Sequence, residues 1–251
     1  MTESIGRQFW KMTQNQHLPE SPQRLGLPQP PLEMEYDQGE SLINLPKVDG
    51  LHKPEISLWE AIDKRVTLRR YSDARLSLDE LSLLLWATQG VKEITTRPST
   101  LRTVPSAGAR HAFETFLLVN RVEDLEPGIY RYIATEHALL PYDLSPDVNQ
   151  RITEGTKNQQ HVANSAVTFL WAAVIERMTW RYPERGYRYL LMDAGHVCQN
   201  LYLAAVGLGC GVCGIAAFDD DLLNQALKLD GENVFVCYAA SLGKRIVEEK
   251  E

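Results

Sequence analysis

The chain has 251 residues, and its content of 44% hydrophobic and 24% charged residues is that of a soluble globular protein. Its formal net charge of −7 argues against a nucleic-acid partner, because attraction to phosphates needs a basic surface. No apolar run reaches the ~20 residues of a membrane span, and residues 1–10 lack the pattern of a secretory signal. We therefore expect a cytoplasmic protein that binds neither nucleic acid nor a membrane.

Residues 1–55 differ in composition from the rest of the chain, because they hold seven of its 13 prolines and few apolar clusters. This composition predicts a long irregular N-terminal arm rather than a domain. Scattered leucines such as Leu25 and Leu42 provide anchors, and we expect the arm to drape over a partner subunit. The compact domain is then predicted to cover residues 56–251.

Helical and strand-like patterns alternate after the arm. Capping-box sequences at residues 57–60 and 77–80 predict the starts of two helices. The spacing of apolar residues over 187–206 predicts a helix that is buried on most sides, with His196 in the core. The other predicted elements are a helix end at Gly90, a buried strand at 113–119, a hairpin at 128–133 and 138–140, a helix with Pro146 in its first turn, a central strand at 166–175, a strand within 209–218, a helix at 222–229 capped by Asp219, and a last strand at 233–242. Because the hairpin rules out a purely parallel sheet, the predicted class is α+β or mixed α/β.

Residues 103–110 form a nearly side-chain-free stretch directly before the first predicted strand. Pro105 fixes its own φ angle, and the Ser106 hydroxyl can cap the turn. Ala107 and Gly108 leave backbone N–H groups unshielded, so a flat or anionic ligand could approach the main chain closely. The alternative is an ordinary tight loop before a strand.

The glycine- and cysteine-rich segment 209–214 matches two motifs, and we interpret neither as functional. Cys210 and Cys213 satisfy C-x-x-C, but no second ligand pair follows, so core packing is expected rather than metal or redox chemistry. The same segment satisfies G-x-G-x-x-G. A helix precedes it and a strand follows it, which is the wrong order for a dinucleotide-binding motif.

Two groups of positively charged side chains could bind an anion. Arg65, Thr67 and Arg69 alternate at the end of the first predicted helix, so in an extended segment they would point to one side and form a clamp. The alternative is a solvated basic helix end. Lys244 and Arg245, after the last strand, supply further positive charge or are a frayed tail.

Taken together, these motifs resemble the nitroreductase superfamily. The R-x-[S/T]-x-R pattern at 65–69 is similar to the first flavin-phosphate motif of that superfamily. Residues 105–108 resemble its loop before a strand, and residues 207–219 resemble its strand before an F-D turn. Segments 81–86, 105–108, 184–189 and 193–202 resemble the SagB/ThcOx-type dehydrogenase branch. The resemblance runs from about residue 58 to residue 243 and leaves the arm outside.

The resemblance implies a nitroreductase-like fold, with a central mixed sheet flanked by helices, and FMN bound at a homodimer interface. It also implies a ping-pong mechanism, in which NADH, NADPH or another reductant gives a hydride to flavin N5 and a small-molecule or peptide-borne acceptor is then reduced. Because the flavin would carry the redox chemistry, Glu176, Glu184 and His196 are expected to be structural.

The resemblance also assigns roles to individual residues. Arg65 would hold the FMN phosphate, Thr67 would lie near the ribityl chain, and Arg69 would face the N1/O2 edge. A cation at that edge favours the anionic reduced flavin and raises its reduction potential. The remaining cofactor-binding assignments are Pro105, Ser106, Ala107 and Gly108 from the partner subunit, the backbone N–H groups of Ala216 and Ala217 towards N5 and O4, and Lys244 and Arg245 at the phosphate.

One departure from the branch bears on the reaction. The branch oxidises peptide thiazolines and oxazolines to azoles with a Lys-Tyr pair, and here the corresponding residues are Arg181 and Tyr182. Arginine stays protonated near neutral pH and cannot act as a base. We therefore expect an FMN-dependent oxidoreductase with Arg181 and Tyr182 as candidate catalytic residues. An azoline dehydrogenase is one alternative, and a non-catalytic flavin-binding protein, with the flavin covered by Trp180 or the arm, is another.

Overall fold

The computed structural model describes residues 3–37 and 39–246 and is built on a seven-stranded sheet. The helices are α1 Ile5–Met12, α2 Leu58–Lys64, α3 Leu78–Gln89, α4 Val148–Gly155, α5 Gln160–Ala163, α6 Ile175–Thr179, α7 Gly186–Gly207 and α8 Asp220–Ala226. The strands are β1 Ile43–Asn44, β2 Val91–Ile94, β3 Thr100–Arg102, β4 Phe113–Val119, β5 Gly128–Ile133, β6 Ala138–Asp143, β7 Val167–Val174, β8 Cys210–Ile215 and β9 Val234–Lys244. No helix in the described part of the chain is both long enough and apolar enough to cross a membrane.

The strand order in the sheet is β1-β6-β5-β4-β7-β9-β8, and every neighbouring pair of strands is antiparallel. The strands β2 and β3 form a separate antiparallel pair. Two isolated parallel bridges occur among the described residues, one between Thr67 and Val212 of β8 and one between Leu76 and Val122. The predicted α+β class is confirmed.

The central strands β4 and β7 are covered on both faces, as predicted for a buried strand and a central strand. Successive side chains of a strand point to opposite faces of the sheet. Leu117 accordingly packs in one apolar core with residues of α3 and α7, while Leu118 packs in a second core with residues of α4 and α8. The sheet therefore separates two cores, and α7 crosses the face that carries the candidate site.

Two local predictions need correction, and the predicted helix end at Gly90 is confirmed. The helix near Pro146 begins only at Val148, so the proline precedes the first turn. Gly90 ends α3 with a φ of −56°, and its lack of a side chain reflects close packing, since a Cβ atom there would lie 2.4 Å from a ring carbon of Trp86. The helix α7 keeps one open face, on which Leu191 is 61% exposed and His196 is exposed rather than part of the core.

The described part of the arm packs against its own chain, and its expected contact with a partner subunit stays a prediction. The backbone N–H of Gln23 donates to the carbonyl of Trp180 at 2.9 Å, and Arg177 Nε donates to the carbonyl of Pro31 at 2.8 Å. The arm also contributes helix α1 and strand β1, which pairs with β6. A division of the chain between residues 55 and 56 stays a prediction.

A buried group of charges ties the arm to the sheet. Glu114 of β4 is 1% exposed and pairs with Arg177 at 2.6 Å. Glu33 of the arm lies 3.7 Å from Arg102 and accepts a hydrogen bond from the backbone N–H of Thr135 at 3.0 Å. Burial and the nearby Glu114 carboxylate raise the pKa of Glu33 to about 7. Ionising Glu33 therefore weakens the attachment of the arm.

Replacing Glu33 with glutamine is expected to reduce the pH dependence of stability. Because its pKa rises from 4.5 to about 7 on folding, the folded state binds this proton more tightly, and the free energy of unfolding falls as the pH rises through that window. An amide cannot ionise, so E33Q should lose this part of the fall between about pH 5 and about pH 8 in urea unfolding. The variant E35Q is the control, since Glu35 is exposed. Equal pH dependence in E33Q and the wild type would contradict the assignment.

Candidate functional site

The predicted clamp lies along the edge strand β8. After α2 ends, the backbone N–H of Leu68 donates to the carbonyl of Val212 at 3.0 Å, which holds the segment alongside the strand. Thr67 Oγ1 lies 3.2 Å from the Tyr202 hydroxyl, and the Arg65 guanidinium lies 5.3 Å from the centre of the Tyr202 ring. Arg65 and Thr67 thus face the same side, as expected for alternate residues of an extended segment.

The glycines of β8 allow this close approach. A Cβ atom at Gly211 would lie 2.5 Å from Leu68 Cδ1, so any larger residue would push the clamp segment away. The strand runs after α7 and before the turn at residues 216–218, which agrees with rejecting the dinucleotide-binding motif. Cys210 and Cys213 are buried within β8, and burial raises the pKa of the Cys210 thiol to about 12. No group of three or more histidine, cysteine or acidic side chains is arranged to hold a metal ion among the described residues. The burial of both cysteines favours core packing.

Tyr202 of α7 connects the clamp to the end of β8, although the sequence analysis gave it no role. Its hydroxyl accepts a hydrogen bond from the backbone N–H of Gly214 at 2.8 Å while also facing Thr67. In the sequence it is one of several apolar or aromatic residues at helical spacing, which is also what core packing produces. Only the contacts distinguish it.

The residues predicted to hold the flavin edge follow β8 directly. Ala216 and Ala217 are exposed, and no hydrogen bond donated by their N–H groups occurs among the contacts of the described residues. Arg65 is half-buried, Arg69 is exposed, and neither forms an ion pair with a described carboxylate. Unpaired guanidinium groups beside open N–H donors fit a ligand with a phosphate and a hydrogen-bonding ring edge, and FMN has both.

The buried His161 stabilises the turn at Ala217 through the side chain of Gln159. His161 Nδ1 lies 2.9 Å from Ser241 Oγ, and its Nε2 lies 3.0 Å from Gln159 Oε1, while Gln159 Nε2 donates to the carbonyl of Ala217 at 2.8 Å. Since the Gln159 oxygen must accept, the network assigns the proton of His161 to Nε2. Burial and the charge of Arg69 lower the pKa of His161, which keeps the ring neutral near pH 7. The polar sequence around His161 gave no signal of this role.

Lys244 and Arg245, the other two predicted phosphate-binding residues, have different surroundings. Lys244 lies inside β9, forms an ion pair with Glu80, and donates to the carbonyl of Leu208 at 3.1 Å. Arg245 Nε donates to the carbonyl of Cys210 at 3.0 Å, and its Nη2 lies 3.3 Å from the carbonyl of Lys64, next to Arg65. The structure therefore places Arg245 near the clamp and engages Lys244 elsewhere. The frayed-tail alternative does not describe either residue.

The nearly side-chain-free loop lies at the other end of α7. The backbone N–H of Ala107 donates to Asp193 Oδ1 at 3.4 Å, and Ser106 Oγ accepts from the backbone N–H of His111 at 2.9 Å. Gly108 has a φ of +59°, and a Cβ atom there would lie 2.6 Å from the Tyr182 hydroxyl. The loop following Pro105 is therefore shaped by close contact with Arg181 and Tyr182.

The two halves of the predicted site are far apart within one chain. The loop bonds to Asp193 and the clamp to Tyr202, and these residues lie nine positions apart on the single helix α7. At 1.5 Å per residue they are separated by about 14 Å along the helix axis. One protomer therefore does not bring the Ser106–Gly108 loop to its own clamp.

The candidate catalytic pair Arg181 and Tyr182 faces a cavity under the arm. The cavity has a volume of about 510 Å³. Tyr182 packs edge-on against Tyr189 with ring centres 4.7 Å apart. Trp180 is buried beneath the arm and its indole N–H donates to the carbonyl of Leu27 at 3.0 Å. The arm thus covers Trp180 but leaves open space beside Tyr182.

The fold is that of the nitroreductase family of oxidoreductases. The chain matches the Nitroreductase family over residues 62–244, and it belongs to that family. It is 36% identical over 187 residues to a Methanocaldococcus jannaschii protein that is named as a nitroreductase, covering 74% of this chain and 89% of that one.

Two further comparisons cover less of the other protein. An Anabaena variabilis crystal structure, also named as a nitroreductase, matches with a TM-score of 0.64 and 30% identity over 75% of this chain and 38% of that chain. The microcin B17-processing protein McbC of Escherichia coli is 26% identical over 140 residues, which are 54% of this chain. The match spans 52% of the length of McbC.

Proposed function

We propose that this protein is an FMN-dependent oxidoreductase that takes a hydride from NADH or NADPH and passes it to a small-molecule or peptide-borne acceptor. The observation that carries the proposal is the alignment of Arg65 and Thr67 on one side of the segment bound to β8, with Arg69 two residues further on. The unpaired N–H groups of Ala216 and Ala217 lie just beyond the same strand.

Each part of this arrangement has a separate task. Arg65, with Arg245 near it, would bind the phosphate, and Thr67 would lie along the ribityl chain. Arg69 would hold positive charge at the N1/O2 edge, while His161 fixes the orientation of the turn at Ala217 through Gln159. FMN, when bound, supplies a flavin N5 that accepts and then donates the hydride in two successive half-reactions. The chain itself contributes binding, orientation and charge.

We propose that the working form is a homodimer, with FMN between the subunits. The loop at Ser106–Gly108 is about 14 Å along α7 from the clamp of its own chain, so a second copy would have to supply it. The exposed face of α7, with Leu191 61% and Met192 53% exposed, offers apolar surface for this contact. Trp59 of α2 is 80% exposed and provides more. Apolar surface of this kind favours a subunit interface.

The absorbance spectrum of the purified protein tests the proposal. We expect a flavin spectrum after addition of FMN and removal of the unbound excess, and loss of its absorbance when NADH or NADPH is added without oxygen. Addition of a quinone or a nitroaromatic compound should restore the absorbance. A protein that retains no FMN would contradict the proposal, and bound FMN that neither nicotinamide reduces would favour a non-catalytic flavin-binding protein.

Oxidation of peptide azolines is the second candidate, because the chain is similar to the microcin B17-processing protein McbC. Arg181 argues against this reaction, because its guanidinium cannot accept a proton near neutral pH. It lies 5.6 Å from the centre of the Tyr182 ring. A thiazoline-containing peptide incubated with the FMN-loaded protein distinguishes the two. Loss of two mass units would support azole formation, whereas an unchanged mass with active quinone reduction would exclude it for that peptide.

A further inference from the structure

We propose that the cavity under the arm binds a small organic anion with a flat body, such as an aromatic carboxylate. Identifying this anion as the acceptor rests on the proposed function, but its binding does not. The cavity, at about 510 Å³, is in the size range of small-molecule sites in proteins.

The charge of the lining favours an anion. Three guanidinium groups, those of Arg24, Arg181 and Arg185, share the cavity with a single carboxylate, that of Glu20. This is an excess of positive charge in a protein whose formal net charge is −7. A cavity lined by one sign of charge raises the local concentration of ligands of opposite sign.

The arginines that line the cavity have unused hydrogen-bond donors. Among the described residues, no carboxylate forms an ion pair with Arg24, Arg181 or Arg185. Arg185 is held in place, since its Nη1 donates to the carbonyl of Thr13 at 3.1 Å and its Nε to the Tyr189 hydroxyl at 2.9 Å. Its Nη2 makes no hydrogen bond with the described residues. A guanidinium that is held at two of its nitrogens is preorganised to donate from the third to a carboxylate.

Two aromatic rings give the cavity a shape. Tyr182 and Tyr189 both line it, and their rings meet at 75° with centres 4.7 Å apart. Rings favour flat ligands that can lie against them, while the surrounding guanidinium groups and hydroxyls orient a polar end. The combination is suited to an aromatic or unsaturated acid rather than to a free inorganic ion.

The position of the cavity connects it to the proposed redox site. Arg181 and Tyr182 touch the loop that a partner subunit would receive at its flavin, since a Cβ atom at Gly108 would lie 3.0 Å from Arg181 Cδ and 2.6 Å from the Tyr182 hydroxyl. The positive charge also extends beyond the lining to Arg110, whose guanidinium lies 5.1 Å from the centre of the Trp180 ring. An anion in the cavity would thus sit between the arm and the loop.

Calorimetry with 4-nitrobenzoate and 4-nitrobenzamide tests the inference. The two probes have nearly the same shape, and only the acid is charged. We expect the FMN-loaded protein to bind the acid about tenfold more tightly than the amide, and the difference to shrink at high salt. The variant R24E should remove most of this preference, while R75E, which changes the net charge equally at an exposed site, should retain it. Equal affinities for acid and amide, or equal effects of R24E and R75E, would overturn the inference.

Titrations on flavin-free protein measure binding of the two probes without any redox chemistry, and reduction of each probe by the FMN-loaded protein with NADH or NADPH measures the acceptor role separately. Selective binding of 4-nitrobenzoate without any reduction of it would support the anion site and count against the acceptor role. Reduction of both probes with no preference for the acid would overturn the anion site and leave the oxidoreductase proposal standing. Melting curves of R24E and R75E check that both variants fold.

Discussion

Replacing both Arg65 and Arg69 with glutamine is expected to weaken FMN binding by a factor on the order of 100 or more. A charge-assisted hydrogen bond contributes about 1.5–3 kcal/mol, and the double variant removes two groups that would make such bonds. Neither side chain forms an ion pair with a described carboxylate, so little stability should be lost with them. Quenching of FMN fluorescence during titration with protein measures the affinity.

The neighbouring arginine supplies the matched control. Arg70 is exposed and lies one position beyond Arg69, so in an extended segment its side chain points away from the clamp. We expect R70Q to bind FMN with the affinity of the wild type. If R70Q weakened binding as much as R65Q or R69Q, a general basic surface would replace the clamp as the explanation.

Replacing Gly195 with leucine is expected to convert the proposed homodimer into monomers and to abolish retention of FMN. Gly195 lies in the middle of α7, and nothing in the protomer lies within 4 Å of a Cβ atom built there. It follows Leu191 by one helical turn on the exposed face. A glycine in a helix interior lowers the stability of the helix by about 1 kcal/mol relative to alanine. Because open space surrounds Gly195 within the protomer, this cost favours a role for the glycine in the close approach of another subunit.

Light scattering during gel filtration measures the mass of the G195L variant, and the flavin absorbance of the same peak measures retention. The protomer itself should not be destabilised, because the new side chain points into open space and leucine favours helix more than glycine does. Gly6 of α1 is the control, since its Cβ position is equally open. A G195L dimer that keeps FMN would contradict the proposed interface, as would dissociation of G6L.

Several features of the fold were readable from the sequence because they depend on neighbouring residues. Ser77 and Glu80 exchange hydrogen bonds across the first turn of α3, as a capping box does in any surroundings. The Asp219 side chain caps α8 by accepting from the backbone N–H of Leu222 at 3.1 Å. Long apolar runs such as β7 predict central strands because only a strand covered on both faces buries every residue.

Other features depend on which parts of the chain meet in space. The capping pattern that predicts α2 says nothing about its packing, and Trp59 and Ile62 are 80% and 48% exposed there. The helical spacing of α7 predicted burial on most sides, with His196 in the core, but the open face around Leu191 and His196 is visible only once the sheet covers the opposite side. Periodicity shows which face of a helix is apolar, but it does not show what that face packs against.

The sequence by itself determined the family resemblance and the α+β class, and it predicted the clamp of Arg65, Thr67 and Arg69, because each of these depends on the spacing of neighbouring residues. Only the tertiary structure decided that Lys244 pairs with Glu80, that His161 stabilises the turn at Ala217, and that the arm encloses a cavity beside Tyr182. These contacts join residues far apart in the chain, and their energies come from burial and charge at sites that no short pattern records.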